Sequence, residues 1–419
     1  MSQNRNNKNN DSWIIIIGGG KSQLPFIARA NSRGFYTLVI DEDPEAPGQE
    51  KANIFLNISI HDTEKVLKEL EKYVDLYNIL SCLTYSSHEK ALYTTGSIND
   101  HYGLKGITCS SVNNTVSKID THKKLFKQGL KVPESIYAES YSDVESLMEK
   151  YSQIIIKPSK GAVGSAGVTL LNNKSNNNDQ LFLNTQSISS DSMVVAQRFY
   201  EGLEFSIDGY VISGSYRILS CCRKYTKGLD SNFVIDGYVS LPAESNHYLG
   251  QDQVNQLAEK VVECLEIDDS FFSIDVIITD KQFVVIDVGL LLDAKIDRLL
   301  DYAGIDIYSL GLDAALGISS QWHLSANLIK KIYGLKFIYI DHMAVVKSFI
   351  PGKKKQQNKD GRNISFILEQ GKRVGEKVNP PSSVSDTIGW LILEGEQPEQ
   401  IWEDLDNINL QPYLEYYQA

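Results

Sequence analysis

Ile154-Ile155-Ile156-Lys157-Pro158-Ser159-Lys160-Gly161-Ala162-Val163-Gly164-Ser165-Ala166-Gly167-Val168 is the most informative stretch of this 419-residue chain. The isoleucines read as a short buried strand that delivers Lys157 to its end. Behind it, a glycine-rich segment offers backbone N–H groups free of Cβ interference, able to close over phosphate oxygens while the lysine neutralises them. A hairpin turn with a snorkelling lysine explains the glycines one by one, but not a lysine, a proline and three spaced glycines together. Lys157, Gly161, Gly164, Ser165 and Gly167 are therefore candidate ligand-binding residues.

The composition limits what the rest of the chain can be. Lys plus Arg number 41 against 53 Asp plus Glu, a formal net charge of −12, which argues against a general nucleic-acid or anionic-membrane surface. Any anionic ligand must meet a local cluster of positive charge. With 42% hydrophobic and 22% charged residues, 29 Gly and 11 Pro, the chain is globular rather than disordered or collagenous. Cys82, Cys109, Cys221, Cys222 and Cys264 form no CxxC pair and read as reduced thiols. The apolar run Trp13 to Ile17 is too short for a signal-peptide core or a membrane span, so the cytoplasm is the expected location.

Residues 1–12 are rich in Asn and read as a disordered tail. Residues 13–112 alternate strand and helix patterns: Ile14 to Ile17, a glycine turn, Leu24 to Asn31, Tyr36 to Ile40, Ile79 to Thr84 and a shorter strand at Ile107. That order predicts a parallel α/β domain. Gly18-Gly19-Gly20 is an incomplete dinucleotide fingerprint, because Gln23 stands where close helix packing favours glycine. With Asp41 downstream it leaves three readings: a nicotinamide or flavin site, a substrate cradle, or a tight turn. From Val116 a helix over Lys123 to Gln128 leads into mixed strands and helices. Strands are expected at Ser192 to Phe199, Glu204 to Val211, Tyr216 to Cys222, Phe271 to Thr279 and Phe283 to Val288, the last two joined by an Asp280-Lys281 turn. The final segment reads as a small β-rich domain with a solvated basic loop, Lys353 to Arg362, and tyrosines 413, 416 and 417 anchoring the terminus. None of the seven histidines has catalytic or metal-ligand spacing.

The Lys157–Gly167 segment resembles the glycine-rich loop of the ATP-grasp superfamily, and further elements match in order over roughly residues 13 to 395. Ser117-Lys118, with Ser in place of Asp, resembles the segment whose lysine reaches the nucleotide phosphates. Val194 to Ile207 resembles the hinge strand, which implies that the backbone around Gln197, Arg198 and Phe199 pairs with adenine and that Glu204 accepts hydrogen bonds from ribose. Gly18 to Gln23 and Asp41 to Pro44 resemble the domain preceding ATP-grasp in carboxyaminoimidazole ribonucleotide synthase and biotin carboxylase-like members. The implied architecture is a pre-ATP-grasp α/β domain (13–112), an α+β ATP-grasp domain of two subdomains (113–335) and a β-rich domain (336–419).

The resemblance implies two acids on neighbouring strands for Mg²⁺, here Asp275 and Asp287. In the usual Glu-x-Asn-x-Arg run, Asp287 replaces Glu, Gly289 replaces Asn and Leu291 replaces Arg. Arg223, Lys224 and Arg298 are the candidates for restoring the lost positive charge, against the alternative that they are solvated cations. The implied function is an ATP-dependent carbon–nitrogen ligase joining a carboxylate to an amine through an acyl-phosphate, with ATP and one or two Mg²⁺. Small-molecule acid and amine substrates are implied, no nucleic acid or membrane, and a homodimer is compatible with the family. The alternatives are a catalytically reduced nucleotide-binding relative and an oxidoreductase using the first domain.

Overall fold

The computed structural model describes residues 9–162, 164–229, 232–241, 250–279, 282–318 and 331–418. Its first body is an all-parallel sheet in the order Ile54–Asn57, Tyr36–Asp41, Asn9–Ile17, Tyr77–Thr84. The run Ile14 to Ile17 is continuously apolar because a central parallel strand is covered on both faces. Ile14 and Ile16 cluster with Phe26 and Ile27 of the helix Leu24–Ser32, and with Tyr210 and Leu300 of the next body. Ile15 and Ile17 turn instead to Val66 and Leu70 of the helix Thr63–Val74 and to Ile98 of Glu89–Tyr102. One strand's alternation thus joins the first body to the second. The strand begins at Asn9, so residues 9–12 belong to the sheet rather than to a tail. Ile107 is not in a strand; Thr108 beside it caps the helix Cys109–Val116, and the cap decides the local structure.

Next comes a lobe of four antiparallel strands, Ser135–Ala138, Val194–Arg198, Gln153–Pro158 and Thr169–Asn172, with the helices Tyr141–Tyr151 and Asn178–Ile188. Its strand link to the larger sheet is the pair Asn232 with Thr169. That sheet runs Gln282–Gly289, Ser270–Thr279, Leu203–Ile212, Ser215–Leu229, Asn232–Ser240, Ile332–Ile338, Gly389–Gly395, Asn363–Gln370, Gly352–Gln357, antiparallel throughout. The boundary expected near residue 335 falls inside Ile332–Ile338, which pairs with strands on both sides, so the C-terminal strands extend the same sheet.

Lys353 to Lys355, expected in a loop, lie on the sheet's end strand. Lysines suit an edge, where they discourage pairing with another chain. Tyr413 packs edge-on against Phe366, whereas Tyr416 and Tyr417 are exposed and anchor nothing in the core. Asp280-Lys281, His247 and His323 lie outside the described residues. All five cysteines are free thiols. Among the described residues no helix is long and apolar enough to cross a membrane. The fold is the mixed α/β and α+β arrangement expected from the element order.

Candidate active site

A cavity of about 500 Å³ opens between the four-stranded lobe and the larger sheet. Lys157 enters from the lobe at the end of Gln153–Pro158, and Lys118 from the first turn of the helix Lys118–Lys127. That helix starts five residues before the expected one because the Ser117 side chain accepts a hydrogen bond from the Asp120 N–H. Asp275 and Asp287 rise from the opposite wall. They sit directly across from each other in the pairing of Ser270–Thr279 with Gln282–Gly289.

The charges are strongly coupled. Lys118 Nζ lies 2.9 Å and 3.1 Å from the two oxygens of Asp287. Burial opposes the Lys118 charge, but Asp287, with help from Asp275 and Glu89, holds its pKa above the ordinary value. Asp287, which burial alone would raise, is pulled down to about 2 by Lys118 and Lys157. Burial lowers Lys157, and Lys118 adds to that, against Asp287 and Glu204. Beneath the lysines lies His122, a buried residue that spacing gave no reason to select. Burial and then Lys157 lower its pKa to about 4. Its ring nitrogens lie 3.3 Å from Ser135 Oγ and 3.3 Å from the Ile286 carbonyl.

The glycine-rich loop lines the cavity through Gly161, Gly164 and Ser165. Gly164 has φ +63°, and its carbonyl accepts the Val384 N–H at 3.1 Å, so the loop is tied to the C-terminal region. Gly167 does not line the cavity: it has φ +73°, and a Cβ there would come within 2.8 Å of Pro158 Cγ. Its role is to let the loop fold against its own strand.

Gln197, Arg198, Phe199 and Glu204 also border the cavity. Two details differ from expectation. The Arg198 N–H already donates to Glu134 O at 2.9 Å and the Phe199 N–H to Gln153 O at a long 3.4 Å, so neither is free for a base. Arg198 carries its guanidinium over Tyr151 and Tyr200. Phe199 and Phe233, however, pair on the cavity wall with ring centroids 6.3 Å apart and planes 26° from parallel, an aromatic surface on which a flat ring can pack.

Arg223 borders the cavity with its guanidinium 4.7 Å over Tyr225, which stacks on Trp402, and 3.9 Å from Glu399. Lys224 does not present its charge to solvent. Its side chain is 3% exposed and its Nζ stands 2.7 Å from Asp275, 2.8 Å from Asp293 and 3.3 Å from Glu204. Glu204, expected to face ribose, is thus engaged by an ammonium. Arg298 lies outside the cavity, beside Asp297 at 3.6 Å. Leu291 faces a largely apolar recess with Phe26, Tyr85 and Phe271, and no Lys or Arg among the described residues lines it. A Cβ at Gly289 would come 2.9 Å from Ser273 Oγ.

Asp275 and Asp287 suit Mg²⁺, which is commonly held by one or two carboxylates and completes its shell with phosphate and water oxygens. Asp275 Oδ1 is buried without a hydrogen-bond partner, an acceptor that a cation would satisfy. Burial, with Asp293 and Glu204, raises the Asp275 pKa against the pull of Lys224. In the first domain, by contrast, the Gly19 N–H is taken by Asp41 Oδ2 at 2.6 Å and the Gly18 N–H by Ile40 O. With two of the three glycine donors taken by the chain itself, the turn offers little for a pyrophosphate, which weighs against a dinucleotide site there.

Comparison with known proteins agrees with this geometry. Residues 115–289 match the family model of the ATP-grasp domain. An uncharacterized protein of Methanocaldococcus jannaschii is 22% identical over 290 residues, 66% of this chain and 70% of that one. Among solved structures, the L-amino acid ligase of Bacillus licheniformis superposes with a TM-score of 0.73 at 18% identity, covering 98% of this chain and 100% of that one. The phosphoribosylglycinamide synthetase of Anaerococcus prevotii gives 0.69 at 15%, over 98% and 100%. The N5-carboxyaminoimidazole ribonucleotide synthetase of Thermotoga maritima gives 0.68 at 15%, over 97% and 99%. At these identities the structural likeness establishes the fold.

Proposed function

We propose that this chain, an ATP-grasp protein by its residues 115–289, is an ATP-dependent ligase that joins a carboxylate to an amine and releases ADP and phosphate. The observation that carries the reading is the convergence of Lys157 from the lobe and Lys118 from the body on one cavity, facing the opposed carboxylates of Asp275 and Asp287. In it, Lys118 and Lys157 neutralise the terminal phosphates, and the Gly161–Gly167 loop covers them. The base packs against the aromatic surface of Phe199 and Phe233. Asp275 and Asp287 would hold Mg²⁺, which supplies charge neutralisation at the phosphate oxygens.

A substrate carboxylate oxygen bonds to the γ-phosphorus while the bond to the ADP oxygen breaks. The amine nitrogen then bonds to the acyl carbon, loses a proton, and displaces phosphate. The chain's contribution is positioning and preorganised charge, with a covered site that keeps water from the acyl-phosphate. The nearby ligase structures support this general reaction, and the acid and the amine are open to a substrate screen.

Titration calorimetry with Mg·ATP, followed by ADP release over a panel of carboxylates and amines, tests the proposal. Nucleotide binding lost in Lys157→Met, together with ADP release that depends on both substrates, is the expected result. Absence of binding at millimolar Mg·ATP refutes it. Leu291 in its apolar recess favours a second reading, a relative that binds nucleotide with reduced catalysis. Binding without turnover on any pair would select that one.

A further inference from the structure

Among the described residues that border the cavity, Glu89 alone comes from the parallel-sheet body. It stands beyond the carboxyl end of Tyr77–Thr84, the part of an open α/β sheet where ligands are received. The turn that carries it is held by its own side chains. Thr84 Oγ1 donates to the Ile17 carbonyl at 2.8 Å and accepts the Ser86 N–H at 3.2 Å, and Ser86 Oγ accepts the His88 N–H at 3.3 Å. His88 Nδ1 accepts the Lys90 N–H and so caps the helix Glu89–Tyr102. With His88 as the cap, the Glu89 carboxylate is not spent on the helix end.

The other acids of the cavity are accounted for. Lys224 engages Glu204 and Asp275, Lys118 engages Asp287, and Glu201 is exposed to solvent. Glu89 is half-buried, and among the described residues its carboxylate has no hydrogen-bond or ion-pair partner. Burial lifts its pKa, while Lys160 and Lys118 act on it from a distance in the opposite sense. Those two lysines come from the glycine-rich loop and from the helix Lys118–Lys127, so Glu89 looks on the place where the terminal phosphates would sit. An unpaired carboxylate beside a triphosphate is unfavourable until a cation meets it. Lys118 is taken by Asp287 and the phosphates, and Lys160 stands 4.0 Å from Asp191. The cation that completes the wall is then one that arrives with the substrates, and an amine brings it as its ammonium form.

We infer that Glu89 is the catalytic residue of the amine half-reaction, receiving the substrate as an ammonium ion and accepting a proton from it. This rests on the ligase reading and extends it to the protonation state in which the acceptor is recognised. Glu89 takes one proton from the ammonium. The lone pair so freed bonds to the acyl carbon as the carbon–oxygen bond to phosphate breaks. The departing phosphate keeps that bond's electron pair and takes the second nitrogen proton, and Glu89 returns its own to water. Carboxylate activation, which precedes this, does not use Glu89.

The test compares two nucleophiles. ADP release is measured with the proteinogenic amino acids supplied as acids and as amines, and with hydroxylamine, which is unprotonated at neutral pH, in place of the amine. Glu89→Gln keeps the shape of the side chain and removes its charge. It should lower kcat/KM for the protonated amine by about 100-fold, the low end of what a general base contributes, and for hydroxylamine by less than roughly tenfold. Glu89→Asp should recover part of the loss. Calorimetric titration of Glu89→Gln with Mg·ATP should show affinity kept or tightened, because a negative charge near the phosphates is gone. Equal losses with both nucleophiles, or none with either, overturn the inference. So does weakened Mg·ATP binding, which would assign the carboxylate to the metal or to the fold. If wild type turns over no pair, the ligase reading falls and takes this inference with it; if wild type turns over a pair and Glu89→Gln does so equally well, only the role of Glu89 falls.

Discussion

Replacing Val384 with proline removes one hydrogen bond, together with some methyl packing of a buried side chain that the alanine control also loses. Val384 is the first residue of a 3₁₀ turn, Val384–Asp386, and its N–H has the Gly164 carbonyl as partner at 3.1 Å. Proline is well accommodated at such a position, where φ is already near its own and the N–H is not needed within the helix. Ser383 before it is extended, at φ −158° and ψ 172°, the conformation a following proline demands. The cap is untouched, since Ser383 Oγ accepts the Ser385 N–H. Val384→Pro therefore severs the tie between the glycine-rich loop and the C-terminal region without breaking the turn.

A net hydrogen bond contributes about 0.5–1.5 kcal/mol, so releasing the tie should shift loop closure by roughly 2- to 13-fold. Gly164 and Ser165 line the cavity while tied, so if this tied position is the one that covers the phosphates, ATP affinity should fall by that factor. Val384→Ala is the control: it keeps the N–H and the Cβ that would meet Gly164, and loses only methyl packing in the core. Titration calorimetry on the two variants, with hydrogen exchange over residues 160–168, reads the effect. If Val384→Pro binds ATP as Val384→Ala does, or more tightly, the loop is not held closed from the C-terminal side.

Phe233→Ala should weaken ATP binding by about 1–3 kcal/mol, the usual worth of one base stacked on an aromatic ring, and triphosphate without a base should be insensitive to the change. His122 carries a distinct pH signature. Its folded pKa of about 4 lies below the unfolded value near 6.5, so its contribution is fully present above pH 6.5 and is lost as pH falls toward 4. The stability of wild type relative to His122→Gln should therefore decline by about 3 kcal/mol between pH 7 and 4, read by urea unfolding at each pH. The comparison must be made as a difference, because Asp208, raised to about 7 chiefly by burial, stabilises with the opposite sign as pH falls through the same range. A pH-independent difference would mean that His122 is not held neutral by its surroundings.

What could be read from the sequence was what local chemistry dictates. Lys157 and its glycines are contiguous, so strand, cation and loop appear together in one stretch, and the opposed pair Asp275 and Asp287 follows from two antiparallel strands close in sequence. Gly167 reads as a ligand residue because a spaced glycine looks the same whether it faces a phosphate or a proline ring, and the close approach of Pro158 distinguishes them. Lys353 to Lys355 show the same limit, since a basic run suits both a solvated loop and an exposed sheet edge.

The position of Lys224 is hidden from the sequence for a deeper reason. Adjacent to Arg223 on one strand, it shares the arginine's sequence surroundings, but pairs in a strand point to opposite faces. Arg223 lies over Tyr225 beside the cavity, while Lys224 meets acids from residues 204, 275 and 293. No window of sequence contains those four residues. Their charges define one another only after three strands and a turn are assembled, and the same assembly turns a lysine that looked available for phosphate into one already occupied. Positive charge counted along the chain therefore overstates what the nucleotide meets: Lys118 and Lys157 face the cavity from its two sides and Arg223 stands at its border, whereas the charge of Lys224 is taken up by the acidic wall.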